Sequence, residues 1–136
     1  MIKFKNYNHI VFIFLSLAFI AGVITIFSTH NSFGGGDNFA HYKFAHWGWK
    51  YPKLLFNHWG KPVFTILSSP FSQFGINGMR IYTLLMGFST AIIIWRIAET
   101  LKFKDSILGI FLVLFTPIYF IMMFTTLTEV SFSFFI

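Results

Sequence analysis

The chain has 136 residues, of which 56% are hydrophobic, 22% aromatic and only 10% charged. Soluble domains carry roughly 25% charged residues, so this composition excludes an ordinary soluble domain and predicts a membrane protein. The formal net charge is +6, but the basic side chains are scattered among apolar runs, which argues against a nucleic-acid-binding protein. Cysteine is absent, which excludes a disulfide framework and a thiolate nucleophile.

The first predicted element is a membrane-spanning helix over residues 10–27. This run is uncharged and, at roughly 1.5 Å per residue, is about long enough to cross the hydrocarbon core of a bilayer. Lys3 and Lys5 precede it, as in the basic start of a cleaved signal peptide. The run is longer than the roughly 7 to 15 apolar residues of such a peptide, and no typical cleavage site follows it, so an uncleaved anchor is favoured.

A stretch rich in glycine, histidine and aromatic residues follows the first span, "GGGDNFAHYKFAHWGWK" at residues 34–50. Its glycines allow a sharp turn, and Asp37 stands where the N-cap of a helix belongs. Three- and four-residue spacing would place Lys43, His46 and Lys50 on one face of that helix. The stretch therefore predicts an interfacial helix with an aromatic belt, and on residue types alone capping is sufficient to explain Asp37.

Residues 62–79 form an apolar stretch that prolines, glycines and several serines interrupt. A lipid-facing helix tolerates such interruption poorly, because backbone groups freed by proline need partners in hydrocarbon. The pattern therefore favours an interfacial or re-entrant segment over a further spanning helix.

Two more spanning helices are predicted, over residues 81–98 and 107–127. The charged cluster "ETLKFKDS" at residues 99–106 predicts the turn between them, and Pro117 predicts a kink in the second. Glu129 follows, and the apolar run after it continues to the last residue. We therefore expect the start of a fourth span, and a chain that is incomplete.

The predicted fold class is an all-α polytopic membrane protein with about three transmembrane helices, the start of a fourth, and interfacial helices in the first outer loop. If Lys3 and Lys5 are cytoplasmic, the outer loop comprises residues 29–80, and the third span delivers Glu129 to the outside. Asp37 and Glu129 then share one face of the membrane.

Four segments in chain order carry a resemblance to a known family: "GDNFAHYKFA", "KPVFTILSSPFSQFG", "MRIYTLLMGFSTAIIIWRIAETL" and "TPIYFIMMFTTLTEVSF". Together they resemble the N-terminal part of the GT-C superfamily of polytopic glycosyltransferases, which includes the protein mannosyltransferase, aminoarabinose transferase and RgtA/B/C/D-like groups. The resemblance covers nearly the whole chain. It implies that residues 1–136 are a single N-terminal portion of a GT-C-like transmembrane domain, inactive by itself.

The resemblance also implies a reaction, the transfer of a sugar from a polyprenyl-phosphate-type lipid donor to an acceptor hydroxyl outside the bacterial plasma (inner) membrane. In the family, the first outer loop carries an acidic residue, which corresponds here to Asp37, and the second outer loop carries another, which corresponds to Glu129. A carboxylate can take the proton of an attacking hydroxyl or hold a divalent cation such as Mg or Mn. The implied substrate-binding residues are Tyr42, Lys61 and Arg80.

Two features depart from the family pattern. Many relatives have a second acid beside the first-loop aspartate, where this chain has Asn38, and their paired prolines are reduced here to Pro62 followed by Val63. These departures leave the subfamily open.

Two non-enzymatic alternatives remain. Asp37 and His41, four residues apart, could bring two ligands together on a helix, and with His46 and His58 they suggest a metal-binding or transport protein with an outer histidine site. A small membrane adaptor with no chemistry is the other alternative. For Lys61 and Arg80, anchoring at the membrane interface is the simpler role.

Overall fold

The helices of this protein are seen in a computed structural model that describes residues 8–29 and 35–136. These residues form helices and connecting turns without strands, which confirms the all-α prediction. Lys3, Lys5 and Gly34, which is the first residue of the glycine-rich stretch 34–50, lie outside the described residues. The helices are α1 (Asn8–Ser28), α2 (Gly35–Trp47), α3 (Pro62–Ser72), α4 (Gly75–Thr100), α5 (Leu108–Phe115), α6 (Pro117–Met122) and α7 (Glu129–Phe135), with a 3₁₀ turn at Pro52–Leu54 between α2 and α3.

Two of these helices, α1 and α4, are long and apolar enough to cross a membrane. α1 contains the predicted span 10–27, and α4 contains the predicted span 81–98 but begins at Gly75. Much of the α1 surface is exposed and apolar, including Ile13, Leu17 and Ile24, which are each at least 60% exposed. Contiguous apolar surface of this kind needs a non-aqueous or protein partner.

The predicted third span over residues 107–127 is not confirmed as one spanning helix. The chain breaks at Thr116, which is extended with ψ 116°, because a residue that precedes proline avoids the helical conformation. α5 has 8 residues and α6 has 6, so at about 1.5 Å per residue each is far shorter than a hydrocarbon core of about 30 Å. Pro117 thus starts a new helix where a kink was predicted.

The interrupted stretch 62–79 is divided between two helices that meet at Gly75. Gly75 has φ +81°, a left-handed conformation that glycine adopts without strain. Within α3, Pro70 cannot donate to the carbonyl of Ile66, and the Ser69 hydroxyl donates to that carbonyl at 2.8 Å instead. The Ser69 hydroxyl therefore replaces the backbone N–H that proline lacks as a donor to the Ile66 carbonyl.

α4 is the helix that both buried clusters share. The larger cluster packs α1, α4 and α5 with α7 and the chain that leads into it; its central side chains are Leu15, Ile26, Leu84, Trp95, Leu114 and Val130. The smaller cluster packs α2 and α3 on the first turns of α4, through Ala45, Phe64, Met79 and Tyr82. α2 and α7 are therefore held against the same N-terminal half of α4.

Candidate functional site

Asp37 lies in the first turn of α2 and is exposed. The helix begins at Gly35, so Asp37 is its third residue, and the prediction that Asp37 is the N-cap was wrong by position. A carboxylate in the first turn still interacts favourably with the helix dipole. Its side chain makes no hydrogen bond to the described residues, 8–29 and 35–136.

Asn38 fastens the first turn of α2 to the chain just before α7. Its Oδ1 accepts hydrogen bonds from the Thr126 backbone N–H at 2.9 Å and from the Thr126 hydroxyl at 3.0 Å. The same hydroxyl lies 2.8 Å from the Asn38 carbonyl oxygen. Both residues are fully buried and stand 88 positions apart in the chain. The pair therefore brings α7, which begins at Glu129, to the end of α2 that carries Asp37.

His41 is a buried imidazole whose pKa both carboxylates influence. It follows Asp37 by one helical turn, is only 7% exposed, and packs edge-on against Phe64 with ring centroids 5.6 Å apart. Burial lowers the pKa of His41 from its ordinary value of 6.5, and the carboxylates of Asp37 and Glu129 oppose that lowering, while the nearby Lys61 ammonium adds to it. Asp37, Glu129 and Lys61 therefore all lie within electrostatic range of one imidazole.

The lowered pKa of His41 predicts a stability that depends on pH. An unfolded chain takes up this proton near 6.5, whereas the folded chain takes it up only at lower pH. Stability is therefore complete above that value and falls as the pH drops through the lowered folded pKa. We expect the unfolding temperature in detergent to decrease as the pH drops below 6.5, and the decrease to be smaller in His41→Gln.

His58→Gln supplies the control, because it makes the same substitution at an exposed histidine and leaves the buried His41 in place. If the unfolding temperature depends on pH in the same way in the unmodified chain and in His41→Gln, the assigned burial of His41 is contradicted.

Four buried polar atoms border the corner where α2, α4 and the start of α7 meet: Asn38 Nδ2, His41 Nδ1, the Tyr82 hydroxyl and Ser131 Oγ. The Tyr82 hydroxyl and Ser131 Oγ lie close enough to pair with each other, so Asn38 Nδ2 and His41 Nδ1 are the two that find no hydrogen-bond partner among the described residues. The side chains of all four residues are at least nine-tenths buried. Because an unpaired buried polar atom costs about 1–3 kcal/mol, such a group marks a place where water, a ligand or further protein supplies the partner.

The remaining predicted site residues occupy different positions. Lys61 is exposed and precedes α3 with φ 57°. Tyr42 is half-buried, lies against the smaller cluster, and its ring is 5.3 Å from that of His46.

Arg80 is 2% exposed and holds three segments together. Its Nε donates to the Phe124 carbonyl at 2.7 Å, and its terminal nitrogens donate to the Ile26 and Thr29 carbonyls and to the Thr29 hydroxyl at 2.9–3.3 Å. A further contact reaches Asn77 Oδ1 at 3.3 Å. These bonds join the end of α1 and the chain after α6 to α4. A phosphate at Arg80 would have to compete with them.

The histidine-site alternative gains no support from the geometry. Within residues 8–29 and 35–136, no three His, Asp, Glu or Cys side chains come together as a metal-binding group. His46 Nδ1 lies 2.9 Å from the Ser72 carbonyl, which occupies it in a helix-to-helix hydrogen bond. Asp37 and Glu129 are likewise not part of a group of three such ligands within the described residues, so a cation held by them would need further ligands, such as substrate phosphates.

Comparisons with protein-family models, with curated proteins and with solved structures each gave no match. The likeness to GT-C enzymes therefore stays a prediction from the sequence. The geometry adds four residues that the sequence did not single out for this corner. In the sequence, Asn38 is notable only because it stands where many GT-C enzymes have a second acid. Thr126, Tyr82 and Ser131 lie in apolar surroundings that give no sequence signal.

Proposed function

We propose that this protein is a membrane glycosyltransferase, or the N-terminal part of one, which moves a sugar from a polyprenyl-phosphate-linked donor to an acceptor hydroxyl. The observation that carries the proposal is that Asp37 and Glu129, which are distant in the chain, both influence the pKa of the buried His41. The hydrogen bonds between Asn38 and Thr126 hold their helices at one corner, where buried polar atoms lack partners. Such a corner suits a polar substrate that reacts by losing a proton.

In the proposed reaction Asp37 is the general base. Its exposed carboxylate accepts the proton of the acceptor hydroxyl while the oxygen attacks the anomeric carbon. The bond between that carbon and the donor phosphate breaks, and the phosphate leaves with the electron pair. Glu129 orients the acceptor or holds a divalent cation, which when bound would stabilise the charge on the leaving phosphate.

The remaining parts of the proposal concern binding and location. Lys61, exposed and close to His41, is placed to attract the donor phosphate, and Tyr42 and Arg80 are the other proposed substrate-binding residues. We propose that α1 and α4 span the bacterial plasma (inner) membrane, that α5 and α6 cross it together as a third, broken span, and that the site faces outward. The interfacial segment then comprises α2, the 3₁₀ turn and α3.

An assay on native membranes tests the function. Membranes are supplied with radiolabelled hexoses and pentoses linked to polyprenyl phosphate, and label reaching endogenous acceptors is compared between the native strain and a strain lacking the gene. We expect a labelled product that only the native membranes form. Equal labelling by both membranes across the panel of donors would contradict the proposal.

Glu129→Gln is expected to lower that transfer by on the order of tenfold to a hundredfold, because it removes the second carboxylate while keeping the size of the side chain. Glu129 is exposed at the first position of α7, so the substitution lowers the free energy of unfolding by at most about 1 kcal/mol. Glu99→Gln is the matched control, since Glu99 pairs with Arg96 at the other end of α4. Unchanged transfer in Glu129→Gln would contradict a role for Glu129 in the reaction.

A further inference from the structure

A shallow groove lies between α2 and the chain that leads into the 3₁₀ turn. Its volume is about 450 Å³. The residues that line it are Lys43, Phe44, Trp47, Lys50, Tyr51 and Leu54. The groove thus combines an apolar floor with two ammonium groups, and it is formed by residues outside the corner that contains Asp37 and Glu129.

The charge of the groove is not balanced within the fold. Lys50 Nζ lies 5.9 Å from the centre of the Trp47 ring and 5.5 Å from that of Tyr51, a distance at which a cation is attracted to an aromatic face. Lys43 is exposed at the same groove. In the described part of the chain the ion pair is Arg96 with Glu99, so neither groove lysine has a carboxylate partner there.

The aromatic side chains around the groove are exposed to an unusual degree. Trp47 is 47% exposed, Trp49 65% and Tyr51 53%. Tryptophan and tyrosine in this state are typical of the level of lipid headgroups, where an apolar ring and a polar edge are both accommodated. The ligand that fits both features is amphipathic, with an anionic head and an apolar part next to it.

We propose that this groove binds the headgroup phosphate of an anionic phospholipid, such as phosphatidylglycerol. Lys43 and Lys50 hold the phosphodiester, and the rings of Trp47 and Tyr51 contact the glycerol and the first carbons of the acyl chains. The inference rests on the membrane location contained in the proposed function and is independent of sugar transfer. Its consequence is that α2 is fixed at headgroup depth, which sets the height of Asp37 above the bilayer.

Fluorescence quenching in reconstituted vesicles tests this inference. Trp49→Phe and Trp59→Phe remove two exposed tryptophans, which leaves Trp47 at the groove and Trp95, which is buried. A second variant that carries Trp47→Phe in addition to these two substitutions reports the contribution of Trp95 alone. The vesicles contain phosphatidylglycerol or phosphatidylcholine with a nitroxide on the acyl chain next to the glycerol backbone. We expect stronger quenching of Trp47 by the phosphatidylglycerol probe.

Two lysines of the same segment give a matched pair of variants. Lys50 lines the groove, whereas Lys53 is exposed three residues later and does not line it. Lys50→Gln removes one of the two ammonium groups that hold the phosphodiester, so it should reduce the preference for phosphatidylglycerol at the groove about fivefold. Lys53→Gln leaves both groove ammonium groups in place and should reduce that preference less.

Two outcomes would overturn the inference: equal quenching by the two lipid probes in the unmodified groove, or an equal loss of preference in Lys53→Gln and Lys50→Gln. Retention of the protein in the vesicles after an alkaline wash is measured in the same samples and reports membrane insertion by itself. Loss of insertion contradicts the membrane location on which the inference rests, whereas intact insertion with equal quenching contradicts the lipid site alone.

Discussion

Asp37→Asn is expected to lower sugar transfer in native membranes by on the order of 10²- to 10⁴-fold, the range that a general base contributes. The amide keeps the shape of the side chain but cannot accept the acceptor's proton. Because Asp37 is exposed and makes no hydrogen bond to the described residues, folding loses only the interaction with the helix dipole, about 0.3–1 kcal/mol. The amount of inserted protein, measured by immunoblot of washed membranes, should therefore be unchanged.

The matched control for this variant is Asp105→Asn. Asp105 is an exposed aspartate in the turn after α4, so the same chemical change is made away from α2. We expect its transfer rate to equal that of the unmodified protein. Native-level transfer in Asp37→Asn, with both proteins inserted equally, would remove Asp37 from the mechanism.

Arg80→Gln is expected to destabilise the fold by about 3 kcal/mol or more. Glutamine cannot reach the carbonyls of Ile26, Thr29 and Phe124 together. Each buried acceptor left without a partner costs about 1–3 kcal/mol. The measurement is the unfolding temperature in detergent, followed by tryptophan fluorescence, which we expect to fall by several degrees.

Arg96→Gln on the same helix is the control. The Arg96 side chain is 58% exposed and its partner is Glu99, and an exposed pair of this kind contributes at most about 1 kcal/mol. An Arg80→Gln protein that keeps its unfolding temperature but loses transfer would show that Arg80 acts on the donor phosphate, as the sequence predicted. An unchanged unfolding temperature, with or without a loss of transfer, would contradict the assignment of Arg80 as the link between α1 and the chain after α6.

The sequence predicted the helices that composition and length define, and it failed where a local break decides the structure. Uninterrupted apolar runs were sufficient to predict α1 and most of α4. The run 107–127 is equally apolar, but the restriction that Pro117 places on Thr116 divides it into two short helices. Apolar composition therefore did not indicate the length of the helix.

The candidate site was predictable only in part, for a physical reason. Acidic residues in an apolar chain are conspicuous, so Asp37 and Glu129 could be singled out from the sequence. The contact that brings their helices together is made by Asn38 and Thr126, 88 positions apart. Small polar residues carry no periodic or charge signal, and their pairing depends on the packing of α2 and α7 against α4. Arg80 similarly resembled an anchor at the end of a span until its acceptors were known.

The central claim is that Asp37 and Glu129 share one site on the outer face, and thiol cross-linking in intact cells tests it most directly. The chain has no cysteine, so a protein carrying D37C and E129C contains only the two introduced thiols. It is treated with a short, membrane-impermeant reagent that joins two thiols, and linked peptides are identified by mass spectrometry. The pair D37C and F103C is the control, because Phe103 lies in the turn at the far end of α4.

We expect an intramolecular link between positions 37 and 129 and none between positions 37 and 103. Two thiols that react separately without linking would contradict a shared site, and reaction at only one of positions 37 and 129 would place the membrane between them.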